Sequence, residues 1–368
     1  MAVGWAALSE FVPLYPLYAL LFLGGGLSTA EVSGLFAVWS VTGLVAEVPA
    51  GALADRWSRR GVLVCSAVLQ AAAFALWTAA PATASFAVGF ALWGVSSALC
   101  SGTAEALVFD GLRAAGAEAA FARVNGRMTA AELLAQVPTA LAATALHAAG
   151  GFALVGWASA AVCLLAGVLA LRFPEPPRER ADAFLATLRA GAEQVVRLPP
   201  LRLAVVAVAL VGGLDAVEEY FPVLAADRGL PTGAVPLAVL VIALAGAAGA
   251  ELGGRADGLP DGALPALLAA AGVLLAMAAV LPGAAALAAL AVMYGLYLAV
   301  VVAAEARLQE RIEGPYRATV TSVAGFGVEL AGLLVFAAWA LGGPAATALL
   351  VLAVVPVVVR GLRAPVAG

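Results

Sequence analysis

The stretch Gly51-Ala52-Leu53-Ala54-Asp55-Arg56-Trp57-Ser58-Arg59-Arg60 carries one acid and three arginines between two long apolar runs. The 368-residue chain around it is 64% hydrophobic and 11% charged, with a mean hydropathy of +1.04. Soluble domains are about 45–50% apolar and about 25% charged, so this chain has too few polar residues to coat a water-soluble fold. The composition predicts an all-α integral membrane protein in which this polar stretch joins two spanning helices.

Polar and Gly/Pro-rich clusters divide the chain into twelve candidate spans, since a spanning helix needs about 20 apolar residues. The first six lie at roughly 5–24, 30–53, 61–80, 83–108, 121–147 and 152–172. The second six lie at roughly 203–225, 233–254, 262–281, 284–305, 317–341 and 345–360. The sequence therefore predicts a six-helix bundle over 1–172, a cytoplasmic linker with an amphipathic helix over 173–202, and a second six-helix bundle over 203–368.

The placement of the arginines tests this count, because the chain contains no lysine. With the amino terminus inside, Arg228 alone falls in an outer loop and the other arginines fall on the inner side. This asymmetry follows the positive-inside rule and predicts that both termini are cytoplasmic. The use of arginine in place of lysine, with a bias to Ala, Val, Gly and Leu, is typical of a GC-rich bacterial genome. We therefore expect a multi-pass protein of the bacterial inner membrane.

The two halves repeat each other at a slowly falling offset. Gly26 and Gly229 lie 203 residues apart, and Glu132 and Glu329 lie 197 residues apart. A match of 9–13 with 218–222 needs an offset of 209 and breaks the series. Both halves begin on the same side of the membrane, so the sequence predicts a parallel repeat with its pseudo-twofold axis along the membrane normal.

The stretch 51–60, between the second and third spans, resembles the signature loop of the major facilitator superfamily, and a weaker copy stands at 253–257. The resemblance implies two six-helix bundles and secondary transport of a small molecule by alternating access. Similarity to the drug/proton antiporter-like branch further implies proton-coupled efflux. Ser58 stands where the family usually has glycine. The fifth span lacks the glycines of the exporters' Gly-Pro motif, and the fourth lacks an embedded arginine. Both departures count against export and against standard proton coupling.

The loop is expected to form part of a cytoplasmic gate. Gly51 would allow two helices to pack closely. Asp55 would face the positive amino end of a helix that opens at 316–320. The arginines would pair with acids at the inner end of the fourth span, unless they serve only as topology anchors. The residues of this predicted gate are Gly51, Asp55, Arg56, Arg59, Arg60, Glu105 and Asp110.

Acids inside the spans are the candidate substrate- and proton-binding residues. A charge at the bilayer centre is costly, so such side chains face a protein interior or a wet cavity. No arginine lies at the depth of the central acids, which makes them candidates to carry a proton or to bind a cationic group. The alternative for any one of them is a protonated carboxyl bonded to a neighbouring helix. The candidates are Glu219 and Glu329, which we favour for coupling, together with Asp215, Glu218, Glu10 and Glu47. Aromatic residues that could line the cavity are Tyr15, Tyr18, Trp39, Trp93, Tyr220, Phe221, Tyr294 and Tyr297.

Several function classes receive no support from the sequence. Three scattered cysteines and the single histidine, His147, form no metal or catalytic set, so we expect no cofactor and no enzyme activity. No basic patch for nucleic acid is present. The expected partners of this predicted monomer are the lipid bilayer, protons and a small cationic or amphiphilic substrate. The alternatives are a sensor that does not transport, a lipid scramblase and a membrane-embedded lipid enzyme.

Overall fold

The computed structural model describes residues 1–175, 199–255, 260, 262–312 and 317–362. All regular secondary structure in these residues is helical. The predicted amphipathic helix of the linker and residues 256–257 of the weaker loop copy at 253–257 lie outside the described residues. The same is true of residue 316, where the helix expected to face Asp55 would open.

Twelve spans can be followed through the described helices, as predicted. Seven helical stretches are long and apolar enough to cross a bilayer. Two of these are folded at a Gly-Gly pair and supply two spans each, and shorter helices supply spans 1, 7 and 9. Spans 1 to 6 are Ala2–Glu10 with Tyr18–Gly24, Thr29–Arg56, Arg59–Ala79, Thr83–Cys100 with Thr103–Ala114, and the two arms of Phe121–Ala170. Spans 7 to 12 are Pro199–Gly213 with Leu214–Tyr220 and Phe221–Asp227, Val235–Gly254, Ala263–Ala278, Gly283–Glu310, and the two arms of Arg317–Gly361.

The folds between spans 5 and 6 and between spans 11 and 12 have the same backbone. Gly150 and Gly151 have φ, ψ of −157°, 21° and 59°, −157°. Gly342 and Gly343 have −160°, 20° and 59°, −147°. The second glycine of each pair adopts a positive φ that other residues rarely tolerate. These pairs lie 192 residues apart, so they continue the falling offset of the repeat and confirm its pseudo-symmetry.

The helices of spans 1 and 7 are each interrupted part of the way along their length. The interruption covers residues 11–17 in span 1 and the 3₁₀ helix Leu214–Tyr220 in span 7, again 203 residues apart. Gly26 and Gly229, which follow the two spans, share a positive φ of 94° and 91°. The structure therefore agrees with the 203-residue offset and not with the 209-residue match.

Two compact units make up the chain. Unit 1 comprises Met1–Ser28, Leu35–Ala181 and Pro231–Leu237, and unit 2 comprises Thr29–Gly34, Asp182–Leu230 and Ala238–Gly368. The first turn of span 2 thus belongs to unit 2, while the rest of that helix belongs to unit 1. Conversely, the first residues of span 8 belong to unit 1, and the rest of that helix belongs to unit 2. The division predicted at 1–172, 173–202 and 203–368 stays a prediction.

An aromatic cluster fills the core of unit 1. The Trp77 ring is fully buried, and its Nε1 donates a hydrogen bond of 3.1 Å to the Phe86 carbonyl. Tyr18 and Trp93, which the sequence offered as cavity-lining residues, pack within this cluster and are at most 9% exposed. Other fully buried members are Phe22, Phe36, Phe74 and Phe90.

Backbone-to-backbone contact at glycine fixes one helix crossing in each unit. In unit 1, a Cβ on Gly94 of span 4 would lie 2.6 Å from the Trp39 carbonyl of span 2. In unit 2, a Cβ on Gly249 of span 8 would overlap the Gly295 carbonyl of span 10. Only glycine permits such an approach, which is a common way for membrane helices to associate.

We predict that Gly249→Ala lowers the free energy of unfolding by about 1–3 kcal/mol, because the new methyl group must push spans 8 and 10 apart. Gly254→Ala is the matched control on the same helix, since its Cβ would meet the Val302 side chain at 3.9 Å, an ordinary contact. Thermal unfolding of the purified protein in detergent measures both. Equal melting temperatures for the two variants would contradict the prediction.

Candidate functional site

The acids of span 7 lie on its 3₁₀ helix, Leu214–Tyr220. Side chains three residues apart eclipse each other in a 3₁₀ helix. Asp215 and Glu218 therefore stand on the same side of this segment. The interruption of span 7 thus brings together two acids that a regular α-helix would separate by about 60° around its axis.

Tyr294 of span 10 connects these two acids. Its Oη lies 3.1 Å from Oδ1 of Asp215 and 3.0 Å from Oε2 of Glu218. A phenol has a single hydrogen and can donate it to only one of the two carboxyl oxygens at a time. The second contact becomes a hydrogen bond only if that carboxyl carries a proton and donates it to the Tyr294 oxygen. One carboxyl proton would therefore allow Tyr294 to form a hydrogen bond with both acids at the same time.

The position of Tyr294 is fixed by close packing. A Cβ on Gly246 of span 8 would lie 2.6 Å from Tyr294 Cδ1, so the ring lies directly on a glycine. The Phe221 ring meets Tyr294 edge-on at 5.0 Å, and the Tyr297 ring stacks on it at 5.9 Å. Tyr294 is 6% exposed. Its hydroxyl therefore has little freedom to turn away from the acids.

Tyr297, one helical turn further along span 10, supports the interruption itself. Its Oη lies 2.9 Å from the Val211 carbonyl and 3.2 Å from the Gly212 carbonyl. Carbonyls at the end of a helix lose their partners in the following turn. Tyr297 supplies a donor to these carbonyls, which stabilises the end of Pro199–Gly213 ahead of the acids.

Of the two acids favoured for coupling, one lies on span 7 and the other lies on span 11. Glu219 is half-buried on the same 3₁₀ helix as Asp215 and Glu218. Glu329 is exposed on span 11, next to Val328. A Cβ on Gly212 would lie 2.7 Å from Val328 Cγ2, so span 11 passes close to the point where span 7 is interrupted.

Two candidate acids lie in unit 1. Glu10 ends the first helix of span 1, and its carbonyl accepts a 3.4 Å hydrogen bond from Thr139 Oγ1 of span 5. Its side chain is exposed. Glu47 Oε1 accepts a 2.9 Å hydrogen bond from Ser101 Oγ at the interruption of span 4.

Sequence reasoning did not single out Gln70, whose Nε2 donates a 2.7 Å hydrogen bond to Tyr15 Oη. Gln70 carries no charge, so it is not among the membrane-embedded acids that the sequence indicates.

Arg59 is the centre of the signature loop. Its Nη1 lies 2.6 Å from Oδ2 of Asp110, and its Nη2 lies 3.2 Å from Oδ1 of Asp55. The predicted pairing of the loop with Asp110 is therefore present, and Asp55 belongs to the same group. This ion-pair group joins the end of span 2, the start of span 3 and the end of span 4.

Three expectations for the loop have no matching contact among the described residues and stay predictions. No described arginine forms an ion pair with Glu105, because Arg59 reaches Asp110 instead. Arg56 is exposed and makes no ion pair with a described residue. A Cβ on Gly51 would meet no described atom within 4 Å, so its predicted close packing is absent, whereas its repeat partner Gly253 does contact Ala299.

Glu175, just after span 6, contacts the signature loop, and the sequence did not predict this contact. Ser58 accepts a 2.8 Å hydrogen bond from the Gly61 amide, which caps the first turn of span 3. The same hydroxyl donates to Glu175 Oε2 at 2.7 Å, and Arg60 Nε lies 3.9 Å from that oxygen. The serine that replaces the usual glycine therefore joins the loop to the end of span 6.

The sequence of residues 2–336 matches the family model described as the Major Facilitator Superfamily. The chain belongs to this family of membrane transporters, and is therefore a multi-pass secondary transporter working by alternating access and not an enzyme.

Solved structures of transporters resemble the chain at low sequence identity. A D-xylose–proton symporter has a TM-score of 0.73 at 14% identity, with 98% of this chain and 97% of that chain covered. The nucleoside transporter NupG has a TM-score of 0.73 at 12% identity, with 97% and 95% covered. A bacterial homologue of the human lysosomal transporter Spinster has a TM-score of 0.72 at 15% identity, with 98% and 93% covered. No curated protein sequence matches the chain. At these identities the likeness extends to the fold alone.

We predict that Ser58→Ala lowers the free energy of unfolding by about 1–2 kcal/mol, because it removes both the helix cap and the bond to Glu175. Thermal unfolding in detergent measures the loss. Ser9→Ala is the control, since the Ser9 hydroxyl bonds only within its own helix, to the Ala6 carbonyl. If Ser58→Ala lowers the melting temperature no more than Ser9→Ala does, Ser58 does not stabilise the loop.

Proposed function

We propose that the chain is a proton-coupled exporter of small, partly apolar compounds that include organic cations. Asp215, Glu218 and Tyr294 form the centre of its proton- and substrate-binding site. The observation that carries the proposal is the position of one phenol hydroxyl between two carboxyl oxygens, at 3.1 and 3.0 Å. One bound proton would allow both of these contacts to be hydrogen bonds at the same time.

Loss of the proton leaves the site with additional negative charge that another positive group can neutralise. When the proton leaves, two negative carboxylates remain beside the Tyr294 hydroxyl. A cationic group on a substrate would then relieve their repulsion, and charge-assisted hydrogen bonds to carboxylates are strong. The rings of Phe221 and Tyr297 pack against Tyr294 beside these acids, and aromatic rings attract organic cations. A site that takes either a proton or a cation, but not both, exchanges one for the other.

The other membrane acids are proposed to extend this site. Glu219 shares its 3₁₀ helix, and Glu329 lies on the helix that packs against the end of Pro199–Gly213. We propose that both take part in coupling, and that Glu10 and Glu47 bind substrate from unit 1. Proton coupling is also found in the D-xylose–proton symporter that shares this fold.

We propose the orientation of the chain and the direction of transport from the sequence. The arginine distribution supports cytoplasmic termini in a bacterial inner membrane. Export is proposed from the similarity of the loop at 51–60 to that of the drug/proton antiporter-like branch. In this orientation the ion pairs of Arg59 lie on the cytoplasmic side, where we propose that they belong to the gate. We propose a monomer as the functional unit.

Tyr294→Phe is expected to reduce transport driven by a pH gradient about 3- to 10-fold, because it removes the donor that joins the two carboxyls. Flux of a fluorescent organic cation into proteoliposomes with an imposed pH gradient measures the effect. Tyr297→Phe is the matched control. This control removes a hydroxyl one helical turn from Tyr294 whose partners are backbone carbonyls. We therefore expect the Tyr297→Phe variant to be less stable, while its transport still responds to the pH gradient. A Tyr294→Phe variant that responds to the gradient as the parent does would contradict the proposal.

Glu219→Gln and Glu329→Gln are each expected to abolish uphill transport driven by a pH gradient while downhill substrate flux continues. A glutamine keeps the size of the side chain but cannot exchange a proton at neutral pH. Uphill and downhill flux in the same proteoliposomes separate the two effects. Glu310→Gln, an exposed acid at the end of span 10, is the control. Parental uphill transport by both variants would show that neither residue takes part in coupling.

A further inference from the structure

Gln70 of span 3 is a polar side chain that the proposed site in unit 2 does not use. It lies near the middle of Arg59–Ala79, and its Nε2 donates a 2.7 Å hydrogen bond to Tyr15 Oη in the interruption of span 1. Both residues belong to unit 1. A carboxamide inside an apolar helix is costly unless its polar atoms find partners. The polar atoms of Gln70 and Tyr15 therefore indicate what this part of unit 1 can bind.

Tyr15 and Trp93 occupy the positions in unit 1 that Glu218 and Tyr294 occupy in unit 2. Tyr15 precedes Glu218 by 203 residues, which is the offset of the two interruptions. Trp93 precedes Tyr294 by 201 residues, and each comes directly before the glycine of its helix crossing. The Tyr15 ring stacks on Trp93 with centroids 5.4 Å apart, just as Glu218 contacts Tyr294. The same place in the fold therefore holds an acid and a phenol in unit 2, and two neutral rings in unit 1.

Span 3 holds Tyr15 at its ring and at its hydroxyl. Phe74, one turn after Gln70, packs edge-on against the Tyr15 ring at 6.3 Å, while Gln70 binds the hydroxyl. The backbone of the interruption has a separate support, because the Leu14 amide donates a 3.0 Å hydrogen bond to Ser159 Oγ of span 6. Gln70 is therefore not required to satisfy this backbone, and its contact fixes the direction of the phenol.

One hydrogen bond leaves most polar atoms of this pair unused. Tyr15 Oη accepts from Gln70, and its own hydrogen has no acceptor among the residues that the structure describes. In the same part of the chain, neither Gln70 Oε1 nor the second hydrogen on Nε2 has a partner. Turning the carboxamide over would exchange its donor and acceptor ends without using up either kind of group. Both side chains are partly exposed, so the pair offers an accessible donor and an accessible acceptor side by side.

We propose that Gln70 and Tyr15 form a second recognition site, which binds an uncharged substrate group that carries a donor and an acceptor side by side, as an amide does. The carbonyl of such a group accepts a hydrogen from the pair, and its N–H donates to Gln70 Oε1. The site depends on the transport of a small molecule, which membership of the family establishes. It depends neither on the proposed proton coupling nor on a cationic substrate.

The selectivity of this site rests on one N–H group. When an ester replaces an amide, an oxygen faces Gln70 Oε1 and no hydrogen lies between the two acceptors. The loss of one uncharged hydrogen bond lowers affinity about 3- to 10-fold. The ring stack of Tyr15 on Trp93 contacts amide and ester in the same way, so it does not contribute to this difference.

Paired ligands that differ in this group test the site. Procainamide and procaine are organic cations with an amide and an ester link, and N-methylbenzamide and methyl benzoate are the corresponding neutral pair. We expect the purified protein in detergent, without a pH gradient, to bind each amide about 3- to 10-fold more tightly than its ester. Stabilisation against thermal unfolding at increasing ligand concentration gives the dissociation constants.

The two pairs separate this proposal from the proposed function. A preference for the amide in the neutral pair, with no binding of the cations, would support this site and contradict the cation site of unit 2. Equal affinities for amide and ester in both pairs, or no binding of any of the four ligands, would overturn the proposal.

Three variants distinguish recognition from support of the fold. Gln70→Leu should abolish the preference for the amide and leave binding of the ester unchanged. Tyr15→Phe keeps the ring on Trp93 and should lower the preference about 2-fold or more, which maintains the test if Gln70→Leu does not fold. Ser66→Ala is the matched control, because it removes a buried hydroxyl one turn before Gln70 that bonds to Ser96. It should lower stability and leave the preference unchanged. Equal losses of affinity for amide and ester in Gln70→Leu, or an unchanged preference in both site variants, would show that the pair only supports the fold.

Discussion

The direct contact of backbones at Gly249 and Gly295 is the constraint on which the functional site of unit 2 depends. It sets the distance between spans 8 and 10 at the residue next to Tyr294. Because Gly246 lies one turn away and also lacks a side chain, the Tyr294 ring can lie flat against span 8 with its hydroxyl towards span 7. The crossing of spans 2 and 4 at Gly94 is the related contact in unit 1. Small residues at helix crossings thus determine where the polar groups of the site meet.

The interruption of span 7 has a chemical as well as a geometric role. Exposed backbone carbonyls and three acids within one short segment would be unfavourable in lipid. Tyr297 satisfies the carbonyls, and Tyr294 serves two of the acids. The proposed response to protons rests on the position of one phenol hydrogen between two carboxyl oxygens. Stability and proposed function therefore rest on the same pair of tyrosines.

The sequence predicts the fold well because hydropathy, arginine placement and the falling repeat offset all depend on the bilayer and on gene duplication, which act along the whole chain. It also identifies the acids one by one. It does not reveal that Asp215 and Glu218 share Tyr294, because that requires a 3₁₀ register at 214–220, and the glycines before this segment and the proline after it do not specify that register. The role of Ser58 was missed for a similar reason. Its partner Glu175 lies 117 residues away, and nothing local in the sequence points to it.

The Gly-Gly folds at 150–151 and 342–343 also bear on how the protein is made. With two glycines between them, spans 5 and 6 have no loop that could remain outside the lipid while one helix waits for the other. The same holds for spans 11 and 12. Each pair is therefore suited to enter the bilayer as one helical hairpin and not as two separate helices.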